Sequence, residues 1–272
     1  MNAKPVGIFD SGVGGLSVAR EIRATLPAEP LVYLADTAYC PYGGRPVEEI
    51  QSRSVAAVAE LISQGCKAVV VACNTASGAA LELLRSEFSI PIVGLEPAVK
   101  PAAEATRNGR IGVMATSGTL RSERFNRLVS NYARDVRVIP VACTGLVELV
   151  EAGETQGELA IGSLTELLAP LKEAQVDTVV LGCTHYPFLR AAVGEVMGPH
   201  VQLLDSGRAV ARQLERVLRE AEAFAPHRPA DIRMLTTGDP AGVAEVVGRL
   251  WGVALRVEWV TLKERELSRS SS

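Results

Sequence analysis

One pattern of residues occurs twice in the sequence, as Val69-Val70-Val71-Ala72-Cys73-Asn74-Thr75 and as Val179-Val180-Leu181-Gly182-Cys183-Thr184-His185. Each stretch has three aliphatic residues, then a small residue, a cysteine and two side chains that can form hydrogen bonds. The aliphatic run predicts a buried strand, and the polar residues predict a turn that leads into a helix. Because the two cysteines lie 110 residues apart, the repeat predicts two similar halves within one chain.

A second pair of similar stretches supports the two halves. Gly7-Ile8-Phe9, followed by Asp10-Ser11-Gly12, is similar to Gly112-Val113-Met114, followed by Ala115-Thr116-Ser117. The two pairs occur in the same order along the chain, so the similarity extends over whole α/β units.

Short apolar runs alternate with helical patterns along the chain. The apolar runs predict ten strands, at Val6–Phe9, Leu31–Ala35, Ala68–Ala72, Ile90–Leu95, Ile111–Ala115, Val136–Val141, Thr178–Leu181, Val201–Leu204, Ile232–Thr236 and Leu255–Val260. Apolar residues spaced by three and four predict eight helices, at Gly15–Leu26, Val47–Ser63, Ala76–Glu87, Gly118–Asn131, Glu158–Gln175, Pro187–Met197, Ala209–Ala223 and Pro240–Leu250. Such alternation indicates parallel sheets with helices on both faces.

We therefore expect an α/β fold of two similar lobes, each a mainly parallel sheet flanked by helices. A pseudo-twofold axis is expected to relate the lobes, with the active site between them. The predicted division places residues 97–207 in one lobe, and residues 1–96 together with residues 208–272 in the other.

Composition excludes several classes of partner. The 272 residues include 28 Lys and Arg against 31 Asp and Glu, and only 4% are aromatic. A nucleic-acid surface needs a basic excess or aromatic stacking platforms, so we expect no nucleic-acid partner. No apolar run approaches the roughly 20 residues of a membrane span, so no membrane partner is expected either.

The N-terminus and the cysteines point to the cytoplasm. The short lead-in before Val6 lacks the apolar core of a signal peptide, and it leaves little room for a regulatory extension. Five cysteines without a C-x-x-C pair argue against a disulfide framework and a closed zinc site. We therefore expect a cytoplasmic protein without a metal.

The chemistry is expected where strands lead into helices, because parallel α/β sheets bind ligands beyond the carboxyl ends of their strands. Cys73 and Cys183 both fall there, and a helix N-terminus stabilises a thiolate. Cys66 precedes a strand at the opposite edge and is interpreted as structural. Cys40 and Cys143 lie nearer the ligand-binding edge but lack the repeated pattern, so they are interpreted as packing residues.

Two matched thiols suggest a specific reaction. Facing lobes would present them to opposite sides of one small ligand, which is what inversion of a carbon centre by proton transfer requires. Hydrogen-bond donors at the turns could hold carboxylates without a metal or cofactor. The donors are Ser11, Asn74, Thr75, Thr184 and the amides of Tyr42 and Gly43. The glycine-rich turn at residues 10–15 lacks the Gly-Lys-Ser/Thr ending of a phosphate-binding P-loop.

Four separated motifs carry a resemblance to a known family. They are Val6-Gly7-Ile8-Phe9-Asp10-Ser11-Gly12-Val13-Gly14-Gly15-Leu16; Leu34-Ala35-Asp36 with Cys40-Pro41-Tyr42-Gly43; Ala72-Cys73-Asn74-Thr75-Ala76; and Gly182-Cys183-Thr184-His185-Tyr186-Pro187. In this order and spacing they resemble the glutamate racemases of the aspartate/glutamate racemase family. The resemblance implies a cofactor-independent racemase of two α/β lobes, usually a homodimer, that supplies D-glutamate for peptidoglycan.

The resemblance also implies roles for single residues. Cys73 and Cys183 become the two acid/bases, with Cys73 acting on D-glutamate and Cys183 on L-glutamate. Asp10 assists Cys73, while His185 and Glu151 assist Cys183. The implied substrate contacts are Asp10, Ser11, Tyr42, Gly43, Asn74, Thr75, Thr184 and His185.

Other interpretations stay open at this stage. Asp10 could simply cap a helix, His185 could be a turn residue, and Glu151 could be a solvated helix end. The substrate could be aspartate or another small amino acid, since one methylene group is worth only about 1–3 kcal/mol in a pocket. A non-catalytic protein that closes two lobes over a small anion is a second class, and a decarboxylase or cis–trans isomerase is a third.

Overall fold

Two parallel sheets organise the computed structural model, which describes residues 2–226 and 230–263. Their strands are β1 (Val6–Asp10), β2 (Leu31–Ala35), β3 (Ala68–Val71), β4 (Ile92–Gly94), β5 (Arg110–Ala115), β6 (Arg137–Ala142), β7 (Thr178–Leu181), β8 (Gln202–Leu204), β9 (Ile232–Thr236) and β10 (Val257–Trp259). The first sheet has the order β10-β9-β2-β1-β3-β4, and the second has the order β6-β5-β7-β8.

Helices connect these strands, as parallel pairing requires. They are α1 (Leu16–Thr25), α2 (Val47–Ser63), α3 (Asn74–Glu87), α4 (Val99–Ala105), α5 (Ser117–Arg121), α6 (Glu123–Tyr132), α7 (Leu146–Glu151), α8 (Glu158–Glu173), α9 (Arg190–Met197), α10 (Gly207–Glu220) and α11 (Pro240–Trp251). Single turns of 3₁₀-helix lie at Thr37–Tyr39, Tyr42–Gly44 and Tyr186–Leu189.

The strand orders explain the sequence repeat. Strands β2-β1-β3-β4 of the first sheet and β6-β5-β7-β8 of the second follow one order, and every pair is parallel. Strands β3 and β7, which precede the two matched cysteines, therefore occupy equivalent positions beside β1 and β5. The predicted two-lobe α/β fold is confirmed.

Burial on both faces explains why the central strands read as continuous apolar runs. Every residue of β1, β2, β3 and β7 is buried, because helices cover both faces of the sheets. The edge strand β6 leaves most of its residues partly or fully exposed. One apolar cluster includes Ile8 and Leu16 near the first sheet and Leu146 and Val179 near the second, so a shared core joins the two halves.

The chain passes from the first sheet to the second after β4 and returns after β8. The two connecting segments lie side by side, and the Ser206 hydroxyl in the second donates a hydrogen bond to the Glu96 carbonyl oxygen in the first. Helix α10 then packs its buried residues Val210 and Leu214 against α1. The strands of the first sheet lie within residues 6–94 and 232–259, and those of the second lie within residues 110–204. The lobe boundaries at residues 97 and 208 stay a prediction.

All ten predicted strands are present, with ends that differ by at most two residues. The single helix predicted at Gly118–Asn131 is wrong, because Ser122 divides it into α5 and α6. The Ser122 hydroxyl accepts a hydrogen bond from the Phe125 amide at 3.1 Å, as an N-cap does. Helices α4 and α7 lie outside the eight predicted helices. Within the two described ranges, the helices fall short of the length and hydropathy that a bilayer-spanning segment needs.

Candidate active site

The carboxyl ends of β1, β3 and β7 bring Asp10, Cys73 and Cys183 to one site between the sheets. All three are buried, with 0%, 5% and 7% of their surface exposed. Contacts across the site join the two halves, since the Thr184 hydroxyl donates to Asp10 Oδ2 at 3.3 Å and the Ser17 hydroxyl donates to the Thr184 carbonyl oxygen at 2.8 Å. The residues predicted from two distant motifs therefore face one another.

Cys73 occupies the N-cap position of α3. Its Sγ accepts a hydrogen bond from the Ala76 amide at 3.4 Å, and its thiol lies 3.7 Å from Ser11 Oγ. Burial raises the pKa of the Cys73 thiol well above its ordinary range, and the nearby Asp10 carboxylate raises it further, whereas the Ala76 amide lowers it. At rest this group is therefore a neutral thiol, and it needs a neighbouring base to become a thiolate.

Asp10 is suited to hold that proton. Its Oδ1 accepts the Ser11 amide at 2.8 Å, and its Oδ2 accepts the Gly15 amide at 2.6 Å. Burial raises its pKa from 3.8 to about 6, against the opposing effects of the positive charge on His185 and the Gly15 amide. The carboxyl group can therefore gain and lose a proton near neutral pH. The Gly15 contact also agrees with the helix-capping interpretation, so both roles are compatible with the geometry.

His185 connects Cys183 to Glu151. Its Nδ1 lies 3.7 Å from Cys183 Sγ, and its Nε2 lies 2.6 Å from Glu151 Oε1. Burial by itself lowers the pKa of His185, but hydrogen bonds with Cys183, Cys40 and Glu151 raise it well above the ordinary value. A protonated imidazole in this position places a positive charge beside Cys183 Sγ. Glu151 also accepts the Val13 amide at 2.7 Å, so it is not a solvated helix end.

The glycine-rich turn allows this close contact between the halves. A methyl group added at Gly14 would lie 2.2 Å from His185 Nδ1, and one at Gly12 would lie 1.9 Å from Glu151 Oε1. The Tyr33 hydroxyl, on strand β2, donates a hydrogen bond to the Gly12 carbonyl oxygen at 2.9 Å and holds the turn in place. Glycine is therefore needed here so that the backbone can approach the side chains of His185 and Glu151 in the other half.

Tyr42 and Gly43 form a short 3₁₀ turn above the first sheet. The Tyr42 hydroxyl donates to Asp36 Oδ2 at 2.6 Å, and Arg53 binds both oxygens of the same carboxylate at 2.6 and 2.9 Å. The side chain of Tyr42 is thus engaged, which leaves the backbone amides of the turn as its predicted contacts to a ligand. A methyl group at Gly43 would lie 2.8 Å from Thr116 Cβ, so this turn also packs closely against the second half.

The side chains of Asn74 and Thr75 differ in their hydrogen-bond partners. Within the described part of the chain, Asn74 Oδ1 is buried without a hydrogen-bond partner. A buried acceptor left unpaired costs about 1–3 kcal/mol, so it favours a ligand that brings a donor such as an ammonium group. Thr75 Oγ1 instead lies 2.8 Å from Thr116 Oγ1 and 3.2 Å from Thr119 Oγ1, which ties α3 to α5.

Two residues that shape the site, Tyr33 and Arg53, carry no signal in the sequence, because they act through contacts that form only when distant segments meet. Asp36 belongs to one of the four motifs, but its pairing with Arg53 is not evident from the sequence. Cys40 was interpreted as a packing residue, yet its Sγ lies within 4.8 Å of donor atoms on both Glu151 and His185. The motif that contains Cys40 was noted for its Tyr42-Gly43 pair, so a signal was present but was not applied to the thiol.

Comparison with known proteins identifies the family. The sequence model of the Asp/Glu/Hydantoin racemases matches residues 13–214. The chain belongs to this family. Glutamate racemase of Herpetosiphon aurantiacus is 52% identical over 247 residues, which cover 90% of this chain and 97% of that relative. The expectation of an isomerase that acts as an amino-acid racemase is confirmed, as is the resemblance to glutamate racemases.

Solved structures of racemases have the same fold. A glutamate racemase isoform of Bacillus anthracis has a TM-score of 0.87 and 34% sequence identity, over 97% of this chain and 100% of that one. Escherichia coli glutamate racemase, in complex with L-glutamate and the activator UDP-MurNAc-Ala, has a TM-score of 0.86 and 34% identity, over 96% and 99% of the two chains.

The raised pKa of Asp10 predicts how stability depends on pH. The folded state binds a proton more tightly than the unfolded state, so this group's contribution is complete below about pH 4 and is lost as pH rises through about 6. Asp10→Asn cannot titrate and escapes this loss. From pH 4 to pH 7 the unfolding free energy of the variant should therefore gain up to about 3 kcal/mol relative to the parent protein.

Urea unfolding at several pH values measures this difference. Because the variant also exchanges a carboxylate acceptor for an amide, only the change of the difference with pH is interpreted, not its absolute size. Parallel pH profiles for the parent protein and Asp10→Asn would show that Asp10 ionises with an ordinary pKa.

Proposed function

We propose that this chain interconverts L-glutamate and D-glutamate by proton transfer between two cysteines. The observation that carries the proposal is the placement of Cys73 and Cys183 after equivalent strands of two similar sheets, both buried at one site. Thiols on opposite sides of one α-carbon can remove a proton from one face and deliver another to the opposite face. The L-glutamate bound by the related Escherichia coli enzyme supports glutamate as the substrate.

In the direction from D-glutamate, the Cys73 thiolate takes the α-proton and becomes a thiol. The electron pair of the broken C–H bond stays on the α-carbon and its carboxylate until the Cys183 thiol delivers a proton to the opposite face. Cys183 is then the thiolate, and L-glutamate leaves. Asp10 receives the thiol proton when Cys73 is activated, and His185, held by Glu151, does the same for Cys183.

The proposed substrate contacts are donors and acceptors that line the same site. This set comprises Asp10, Ser11, Asn74, Thr75, Thr184, His185 and the amides of Tyr42 and Gly43. The unpaired Oδ1 of Asn74 is suited to the substrate ammonium group, because it is a buried acceptor that lacks a donor. The amides at the turns are suited to the carboxylates and to the negative charge that develops on the α-carbon.

The wider role follows from the family. We propose that the enzyme works without a cofactor or metal, as a cytoplasmic homodimer, and supplies D-glutamate for peptidoglycan synthesis. We also propose that residues 97–207 form one lobe and residues 1–96 with 208–272 form the other. The location of the two sets of strands supports this division, and the closely packed site between them supports closure over a small ligand.

Racemisation itself is the primary test. Protein dialysed against a chelator and treated with hydroxylamine should convert L-glutamate until the circular dichroism signal vanishes. Cys73→Ala and Cys183→Ala should each lower turnover by at least about 10³-fold, since each loses one acid/base group. Cys66→Ala is the matched control, because Cys66 is equally buried but lies at the opposite edge of the first sheet. Tight glutamate binding without turnover would instead identify a binding protein.

Solvent deuterium distinguishes two bases from one. With separate thiols, the product enantiomer should carry solvent deuterium at early times, while the recovered substrate stays almost unlabelled. The reason is that the thiol that delivers the new proton is not the one that removed the old one. Mass spectrometry of the separated enantiomers measures both pools. Early labelling of both pools would point to one shared base and contradict the two-cysteine mechanism.

Substitutions of Asp10 and of His185 should each slow one direction of the reaction more than the other. Asp10→Asn should lower kcat more from D-glutamate, where Cys73 removes the proton, and His185→Asn should lower kcat more from L-glutamate. KM must change to compensate, because the equilibrium constant between enantiomers is unity. Both parameters are measured in both directions, together with α-deuterium isotope effects. Equal losses of kcat in both directions for both variants would refute one helper per thiol.

A further inference from the structure

Three side chains with metal-binding atoms meet on one side of the proposed catalytic site. They are Cys40, Glu151 and His185, and their ligand atoms all lie within 4.8 Å of one another. They come from three separate segments: the loop after β2, the end of α7 and the turn after β7. Cys40 takes no part in the proton transfer proposed above, so its thiol is free for another function.

The chemistry of the donors points to zinc. A thiolate sulfur, an imidazole nitrogen and a carboxylate oxygen are the ligands that Zn²⁺ prefers, and three protein ligands with one open position are common at accessible zinc sites. Zinc bonds of about 2.0–2.3 Å in a tetrahedron place ligand atoms about 3.3–3.7 Å apart. The His185–Glu151 pair, now joined at 2.6 Å, would have to separate by only about 1 Å to reach this spacing.

The lack of a side chain at Gly12 and the partial exposure of two of the ligands leave an entry path to the cluster. Gly12 has no side chain on this side, and a methyl group added there would lie 1.9 Å from Glu151 Oε1 and 2.8 Å from Cys40 Sγ. Glu151 is 21% exposed and Cys40 is half-buried, whereas His185 is buried behind them. An ion arriving from solvent would thus meet two ligands before it reaches the imidazole.

We propose that Cys40, Glu151 and His185 bind one Zn²⁺ ion, and that the bound ion inhibits the enzyme. Binding displaces the proton of the Cys40 thiol and the proton between His185 and Glu151, and both are released to solvent. An imidazole whose Nε2 is bonded to zinc cannot take up a further proton. The Nδ1 atom that faces Cys183 then keeps its own proton, so the imidazole can no longer receive a proton from the Cys183 thiol during the reaction. The ion is an inhibitor and not a cofactor, so the proposal agrees with a metal-independent reaction.

Binding is tested without reference to activity. Chelator-treated protein is titrated with Co²⁺, which reports a thiolate ligand through a charge-transfer band in the near ultraviolet. One equivalent of Co²⁺ should produce the band, and Zn²⁺ should abolish it by displacement. Cys40→Ala should lose the band, whereas Cys66→Ala, which removes a buried thiol far from the site, should keep it. An unchanged band in Cys40→Ala would place the ion on other thiols and overturn the proposal.

Inhibition is the second readout, and it alone rests on the proposed function. Zn²⁺ should inhibit racemisation by the parent protein and Cys66→Ala, and Cys40→Ala should raise the half-inhibiting concentration by at least about tenfold. If Cys40→Ala does not fold, Cys40→Ser provides the same comparison with a much weaker ligand. A cobalt band that depends on Cys40, in a protein without racemase activity, would support the metal site and refute the proposed function. Equal zinc inhibition of the parent protein and the Cys40 variants would refute the inhibitory site.

Discussion

The Oε1 atom of Glu151 accepts two short hydrogen bonds, one from the Val13 amide at 2.7 Å and one from His185 Nε2 at 2.6 Å. Val13 belongs to the glycine-rich turn of the first sheet, whereas Glu151 and His185 belong to the second half. This single oxygen therefore joins the glycine-rich turn to the second half when the halves are closed, and it orients the imidazole toward Cys183. Side chains at Gly12 and Gly14 would prevent both contacts, so this geometry depends on the glycines as much as on the histidine.

The two halves share a scaffold but not the groups around their thiols. Equivalent strand orders place Cys73 and Cys183 alike, yet β1 ends in Asp10 where β5 ends in Ala115. Cys73 consequently lies near a carboxyl group with a pKa of about 6, whereas Cys183 lies near an imidazole whose pKa is raised. In the proposed mechanism, a symmetric reaction is thus carried by an asymmetric set of proton acceptors, each adjusted by burial and by its own hydrogen bonds.

Features that are determined by residues close together in the sequence can be predicted from it. The strands that precede Cys73 and Cys183 are apolar because helices cover both of their faces, and the cysteines follow within two residues. Features that depend on contacts between distant segments cannot be predicted in this way. Cys40 stands near His185 only because the loop after β2 meets α7, and Ser122 interrupts a helix because its hydroxyl caps the next one. Leu120 and Phe125, the apolar residues on either side of Ser122, lie five residues apart, so the helical spacing of three and four is interrupted at the break.

The paired crossings between the sheets have a mechanical consequence. The candidate acids and bases Asp10, Cys73, Cys183 and His185 are at most 7% exposed, so a substrate can reach them only when the halves move apart. The chain crosses between the sheets twice, and the hydrogen bond from Ser206 to Glu96 holds the two crossings side by side. Two connecting segments held side by side can bend together, which suits them to act as a hinge. Each turnover must then include an opening step, whose frequency sets a ceiling on the rate however fast the protons move.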